Sequence, residues 1–112
     1  MKKEIRIRCW LDLDGEKFFG PGRAELLELI HESGSIAQAA RQMGMSYKKA
    51  WAMVDEMNTK GRKPFVVTQK GGEKGGTAEV TETGRKVVAA YQKINKQLQA
   101  IATKNKDILK LL

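Results

Sequence analysis

The sequence predicts a single, mainly α-helical domain with a small β component. Three observations favour this fold class. Apolar residues recur at helical spacing in several successive segments, an alternating apolar and polar segment lies near the N-terminus, and two β-rich runs flank a glycine-rich stretch. The chain has 112 residues, of which 41% are hydrophobic, so it can bury one core and we expect one domain over 1–112.

The N-terminal segment, 1–20, is predicted to contain one strand. Residues 5–13 alternate between apolar and polar side chains, which is the period of a half-buried strand. The pair Asp14-Gly15 breaks this pattern and marks the end of the strand.

Residues 22–60 are predicted to form three consecutive helices, each with an apolar stripe at helical spacing. Gly34 and Gly44 are placed to end the first two helices, since glycine readily adopts the left-handed conformation found there. Ser35 and Ser46 can cap the second and third helices through their hydroxyl groups. The third helix is predicted to run to about residue 58.

Residues 64–81 are predicted to form a β-hairpin whose tip is rich in glycine and lysine. A long final helix is then predicted over 82–112, with Thr81 as its capping residue. Its apolar side chains repeat at spacings of four and three, which is typical of a dimerisation seam. The seam residues are Val87, Tyr91, Ile94, Leu98 and Ile101. Three helices followed by a two-stranded wing form the winged helix-turn-helix arrangement.

The charge of the chain favours a polyanionic partner. It contains 21 Lys and Arg against 13 Asp and Glu, a formal net charge of +8. Much of the positive charge falls in two windows, 41–49 and 60–76, which together hold eight basic residues and one acidic residue. Nucleic acid is therefore the first expectation, and an anionic membrane surface the second.

Several functional classes are excluded or disfavoured. One cysteine and one histidine leave no disulfide framework and no four-ligand Cys/His zinc site within the chain. No nucleophile has an evident partner, so we expect neither an enzyme nor a cofactor or metal. No apolar run approaches the roughly 18 residues that span a bilayer, and no secretory signal is visible. These absences favour a cytoplasmic protein.

The third helix is the predicted DNA-reading helix, because the N-terminal residues of such helices reach base edges. Lys48 can donate to guanine, and the small Ala52 allows close approach to the groove. A solvated helix face is the alternative for the lysines, and Trp51 is expected in the core or an interface. The predicted DNA contacts are Gln38, Ser46, Tyr47, Lys48, Lys49 and Ala52 on the helices, and Arg62, Lys63, Gln69, Lys70 and Lys74 on the wing and its approach.

Four motifs carry a resemblance to a known family. They are Gly44-Met45-Ser46-Tyr47-Lys48-Lys49-Ala50-Trp51, Asp55-Glu56-Met57-Asn58, Gly71-Gly72-Glu73-Lys74-Gly75-Gly76 and Val80-Thr81-Glu82-Thr83-Gly84. With these motifs the chain resembles the N-terminal winged helix-turn-helix domain, of the LysR-like sort, of ModE-type molybdate-responsive transcriptional regulators.

The resemblance implies a homodimer on a palindromic operator in double-stranded DNA, with residues 46–52 of each subunit in the major groove. It also implies that molybdate is bound by C-terminal domains of the family, so no molybdate site is expected on this chain. The alternative function is a protein-interaction module, in which a degenerate winged helix pairs through the seam on the final helix.

Overall fold

The computed structural model describes residues 1–69 and 76–112, and the predicted mainly helical fold with a small β component is confirmed. In chain order the elements are β1 (Leu11–Leu13), β2 (Glu16–Phe19), α1 (Pro21–Ser33), α2 (Ile36–Met43), α3 (Tyr47–Lys60), β3 (Val66–Gln69), β4 (Thr77–Val80) and α4 (Glu82–Lys104), followed by a short 3₁₀ helix, Lys106–Leu111.

The single N-terminal strand predicted over 5–13 is wrong. β1 begins only at Leu11, and it pairs with β2 in an antiparallel hairpin that turns at Asp14 and Gly15, both with positive φ. The alternation nevertheless persists in the burial of residues 5–10, where Ile5, Ile7 and Cys9 are half-buried and the residues between and after them are exposed. Among the described residues, no strand pairs with residues 5–10. Because a strand is stabilised by hydrogen bonds to a neighbouring strand, these residues are extended without belonging to a sheet.

The N-terminal segment lies along α4 instead. The Tyr91 hydroxyl donates a hydrogen bond to the Cys9 carbonyl oxygen at 2.8 Å, and the Lys3 ammonium donates to the Leu112 carbonyl oxygen at 2.6 Å. The earlier residue, Lys3, contacts the end of the chain, and the later residue, Cys9, contacts the middle of α4. Residues 3–9 therefore run antiparallel to α4 and bring their alternate apolar side chains toward it.

The ends of the first three helices follow the sequence prediction. Ser35 Oγ accepts from the Gln38 backbone N–H at 3.1 Å, and Ser46 Oγ accepts from the Lys49 N–H at 3.0 Å. Gly44 ends α2 in the left-handed conformation, with φ 70°. Because a residue with a side chain is strained there, Gly44 permits the tight turn that brings α3 across α2.

The core joins the three helices to both hairpins. Its helical residues are almost fully buried, namely Leu26, Leu27 and Ile30 of α1, Ala39 and Ala40 of α2, and Ala50, Val54 and Met57 of α3. An aromatic group closes one side, where the Phe19 ring lies edge-to-face with Phe65 at 6.2 Å and with Tyr91 at 5.3 Å. The N-terminal hairpin is therefore part of the core.

The predicted wing hairpin is confirmed as β3 and β4, which pair antiparallel with Val66 opposite Val80 and Gln69 opposite Thr77. The Ala78 backbone N–H donates to the Gly34 carbonyl at 2.9 Å, so β4 is attached to the end of α1. The predicted tip residues Lys70 and Lys74 lie outside the described residues.

The final helix is shorter than predicted, since α4 ends at Lys104 and not at residue 112. Asn105 follows it, and its side-chain amide donates to the Ile101 carbonyl at 2.8 Å, where it competes with the backbone for the same acceptor. The radius of gyration is 16.8 Å, against about 13 Å for a compact domain of this length, because α4 extends beyond the core.

Among the described residues, no helix has the length and apolar character needed to cross a membrane.

Candidate nucleic-acid interface

The exposed face of α3 lies opposite its buried stripe. Ala50, Val54 and Met57 face the core with no exposed surface, whereas Lys48 and Ala52 are exposed. With 3.6 residues per turn, positions 48, 52, 55 and 59 fall on the side of the helix away from the core. The face of α3 that carries Lys48 and Ala52 is thus exposed.

The turn before α3 is fixed by backbone hydrogen bonds. The Met45 N–H donates to the Ala40 carbonyl at 3.0 Å, and the Gly44 N–H donates to the Arg41 carbonyl at 3.1 Å. Ser46 accepts a capping bond from Lys49, which leaves its hydroxyl proton available to donate to a phosphate oxygen. These bonds hold the first turn of α3 in one orientation relative to α2.

The other predicted contacts are distributed around this helix. Gln38 is exposed in the first turn of α2, Arg62 and Lys63 are exposed in the loop between α3 and β3, and Gln69 is exposed at the end of β3. No predicted DNA contact within the described residues is buried. All of them are therefore available to a partner, although Lys70 and Lys74 lie outside the described part.

Trp51 is not a core residue, contrary to one of the two expectations. Its side chain is 39% exposed, and Tyr47, one turn earlier on the same side of α3, is 52% exposed. Trp51 lines a shallow depression on α3 together with Lys48, Ala52 and Asp55. The sequence prediction missed both Trp51 and Asp55 as candidate contacts, although their spacing from Lys48 places them on adjoining turns.

An ion pair connects α3 to α1. The Arg23 guanidinium lies 2.7 Å from Glu56 Oε1, and Lys60 is 3.8 Å from the same carboxylate. The hydrogen bond from Arg23 holds the pKa of Glu56 below its ordinary value, with the positive charges of Arg23 and Lys60 acting in the same direction. Glu56 is therefore charged at neutral pH and helps to orient α3.

Asn58, on the wing side of α3, holds the first strand of the wing. Its Oδ1 accepts from the backbone N–H groups of Phe65 and Val66, at 2.8 and 3.1 Å, and its Nδ2 donates to the Val66 carbonyl at 2.8 Å. Three backbone groups of the wing are therefore satisfied by one side chain of α3, so the wing and α3 are held together.

The predicted seam needs one correction. Tyr91 belongs to the protein's own core, where it is 2% exposed, packs against Phe19 and bonds Cys9, and burial raises the pKa of its hydroxyl. Val87, Ile94 and Leu98 are half-buried, and Ile101 is 51% exposed. The four residues other than Tyr91 thus keep apolar surface available on one side of α4.

Comparison with known proteins relates this architecture to one family of regulators. No protein-family model matches the chain. The chain is 39% identical to the molybdenum transport protein ModE of Azotobacter vinelandii over 83% of its own length and 34% of that protein. It is 40% identical to the DNA-binding transcriptional dual regulator ModE of Escherichia coli K12 over 79% of its length and 34% of that protein. The chain carries a ModE-type N-terminal domain.

A third relative is the molybdenum-pterin-binding protein MopA of Rhodobacter capsulatus, which is 44% identical over 64% of the chain and 27% of that protein. The chain spans about a third of the length of the curated relatives it matches. Within the described residues there is no group of three or more His, Cys, Asp or Glu side chains able to hold a metal ion.

The motifs shared with ModE-type domains divide into exposed residues and residues that hold the wing. Tyr47, Lys48 and Trp51 are exposed, whereas Asn58 and Thr81 bind wing backbone. Thr81 Oγ1 donates to the Pro64 carbonyl at 2.8 Å and accepts from the next turn of α4. Gly84 permits the close approach of that turn, since a Cβ there would lie 2.6 Å from the Phe65 carbonyl oxygen. Two of the four motifs of this ModE-type domain therefore contain residues that hold the wing in place.

We expect the substitution Asn58→Ala to destabilise the ModE-type domain by about 2–3 kcal/mol and to release β3 from α3. It leaves three buried or half-buried backbone groups without their partner, and each such loss typically costs about 1–3 kcal/mol, reduced where water replaces the side chain. Urea denaturation measures the loss of free energy of unfolding. Faster amide hydrogen exchange at Phe65 and Val66 would show that the loss arises where β3 is held by α3.

Two controls separate this effect from a general change in α3. Asn58→Asp keeps both accepting contacts and should cost less than the alanine substitution. Thr59→Ala removes an exposed hydroxyl on the next residue and should stay within about 0.5 kcal/mol of the original stability. Unchanged exchange at Phe65 and Val66 in Asn58→Ala would contradict the assigned role.

Proposed function

We propose that this protein is a transcriptional regulator that binds specific sequences of double-stranded DNA as a homodimer, with α3 in the major groove and the wing on the backbone. One observation carries the proposal. The first turns of α3 are exposed and carry adjacent lysines, and the three-helix core and the wing hold them in a fixed orientation. Such a regulator acts in the cytoplasm, and neither an enzymatic reaction nor a cofactor is part of the proposal.

The division of the contacts follows from residue chemistry. Lys48 and Ala52 lie on the exposed face of α3, where they can reach a base edge. Tyr47, Ser46 and Gln38 have hydroxyl or amide groups suited to phosphate oxygens. Arg62, Lys63 and Gln69 are exposed on the wing and its approach, where they can contact phosphates. Lys70 and Lys74 are assigned to the backbone contact of the wing by their sequence.

Dimerisation is proposed through α4. Val87, Ile94 and Ile101 are spaced by seven residues and therefore lie along one line of the helix, with Leu98 beside them. Beyond α4, Ile108 and Leu111 are also exposed, at 55% and 83%. A row of half-buried and exposed apolar residues favours a second copy of the chain as the partner, since each copy presents the same stripe. Two copies would place two reading helices on a palindromic operator.

A response to molybdate is not proposed for these residues. The matched relatives are more than twice the length of the chain, and their names concern molybdenum as well as DNA. The resemblance assigns molybdate binding to the C-terminal domains of the family, and we therefore do not expect molybdate to bind to these residues.

Selection of bound sequences from a random duplex pool tests the proposed function. We expect an inverted repeat whose half-sites are about one helical turn apart, or a multiple of it, since a symmetric dimer imposes its symmetry on the site. Failure to enrich any sequence would contradict the proposal.

The seam is tested by Ile101→Lys, with Gln99→Lys as the matched control. Both substitutions add one positive charge to exposed positions of α4, but Gln99 lies two residues before Ile101, on the side of the helix away from the apolar stripe. We expect Ile101→Lys to shift the protein toward monomer in sedimentation at micromolar concentration and to weaken binding to the inverted repeat at least tenfold, because a charge in an apolar interface must be desolvated. An equal response to both substitutions would place the interface elsewhere.

A further inference from the structure

Asp55 occupies an unusual position for an acidic residue. It is exposed on the outward face of α3, in a protein with a formal net charge of +8. Within residues 1–69 and 76–112 its carboxylate makes no ion pair, whereas Glu56 beside it pairs with Arg23 and Lys60. The Thr59 hydroxyl donates a hydrogen bond to the backbone carbonyl of Asp55 at 2.9 Å and not to its carboxylate. The carboxylate therefore has no structural role among the described residues.

The neighbours of Asp55 define a reading surface. Lys48, Trp51, Ala52 and Asp55 line one shallow depression on α3. Their spacing is i, i+3, i+4 and i+7, the same spacing at which the reading helix of homeodomains contacts bases in the major groove. Ala52 forms a low floor between the longer side chains, so that a base edge can approach the carboxylate.

A carboxylate on this face weakens DNA binding unless it accepts a hydrogen bond from a donor group on a base. DNA phosphates repel it, and the cost rises as the interface excludes water. In the major groove, guanine presents the acceptors N7 and O6 and thymine presents the acceptor O4, all of which repel a carboxylate. Adenine offers its N6 amino group beside the acceptor N7, whereas cytosine offers the N4 amino group as a donor alone. Cytosine is therefore the base that an aspartate accommodates best.

We propose that Asp55 is a specificity-determining residue that selects cytosine by accepting a hydrogen bond from its N4 amino group. The inference rests on the proposed function, since it requires α3 in the major groove. Asp55 lies seven residues after Lys48, roughly 10 Å along the helix, which corresponds to about three base-pair steps. The two side chains thus contact different base pairs of one half-site, Lys48 a guanine and Asp55 a cytosine.

The test is a selection from random duplexes with the full chain and three variants. Asp55→Asn replaces the carboxylate by an amide, which pairs with both N6 and N7 of adenine. We expect one position of each half-site to change from cytosine to adenine. Asp55→Ala should accept several bases at that position. Asp12→Asn makes the same change of charge at an exposed position outside α3, on the N-terminal hairpin, and should leave the selected sequence unchanged.

Affinity measurements on two duplexes give the size of the preference for cytosine at this position. The original protein should prefer the selected duplex over one with cytosine replaced by adenine by about 5- to 100-fold, the usual range for one mismatched pair. Asp55→Asn should reverse the order of the two duplexes. Circular dichroism checks that the variants fold, which we expect because position 55 is exposed.

The outcomes separate this inference from the proposed function. If the original protein selects no sequence, both fail. If it selects a sequence that Asp55→Asn leaves unchanged, only the assignment of Asp55 is overturned. A uniform gain in affinity of Asp55→Asn for all duplexes also overturns it, because removal of a negative charge alone would then explain the effect.

Discussion

The affinity of the protein for its operator is expected to fall by about 10³–10⁵-fold between 50 and 200 mM salt. This range applies to a protein that makes six to ten phosphate contacts, because each neutralised phosphate releases condensed counterions. Five basic residues besides Lys48 are among the predicted contacts of each subunit, namely Lys49, Arg62, Lys63, Lys70 and Lys74, so a dimer can supply up to ten such contacts. Fluorescence anisotropy of a labelled duplex over a salt series measures the slope.

Substitution of single residues then assigns the contacts. Lys74→Ala should lower the affinity for all duplexes to a similar extent and reduce the salt slope, because a phosphate contact carries no sequence information. Lys48→Ala should mainly reduce discrimination between the operator and other sequences. Salt-insensitive binding would exclude a phosphate-dominated interface, and equal loss of discrimination in both variants would exclude this division.

Phe19→Ala is expected to destabilise the protein by about 3–5 kcal/mol, the usual cost of truncating a buried phenylalanine. Phe19 is 1% exposed, and its ring contacts Phe65 at the base of the wing and Tyr91 on α4. The substitution leaves a cavity where the N-terminal hairpin, the wing and α4 meet. A total stability of about 5–15 kcal/mol is typical, so much of it would be lost.

Tyr47→Ala is the matched control, since it truncates an aromatic residue that is 52% exposed on α3. The free energy of unfolding of Tyr47→Ala should differ from that of the original protein by no more than about 0.5 kcal/mol. Its affinity for DNA should fall, because Tyr47 is a predicted DNA contact. Urea denaturation of both variants at one protomer concentration makes the comparison, because dimerisation contributes to the measured stability. A loss below about 1 kcal/mol in Phe19→Ala would mean that the N-terminal hairpin does not belong to the core.

The helical part of the fold could be predicted because its signals are local. Apolar spacing determines which side of α3 is buried, and the capping residues Ser35, Ser46 and Thr81 lie next to the helices they cap. The exposed position of Lys48 and Ala52 follows from the same periodicity. The β2 strand had one usable signal, the Asp14-Gly15 pair, which is a strong hairpin sequence between two extended runs.

Other features depend on contacts between distant parts of the chain. Periodicity assigned Tyr91 to the seam, but Phe19 and Cys9 bring it into the core. Asn58 has no local feature that distinguishes it from a solvated helix residue, and its role depends on Phe65 and Val66 reaching it.

The sequence by itself determined the class of fold, the helix boundaries near their caps, the exposed face of α3 and the resemblance to ModE-type domains. These depend on the spacing of side chains along one element, which the backbone geometry converts directly into faces. Only the tertiary structure decided which apolar residues of α4 remain available to a partner, what holds the wing to α3, and that Asp55 is unpaired beside Lys48 within the described residues. Those properties depend on which surfaces pack together, and periodicity along a single element does not specify its neighbours.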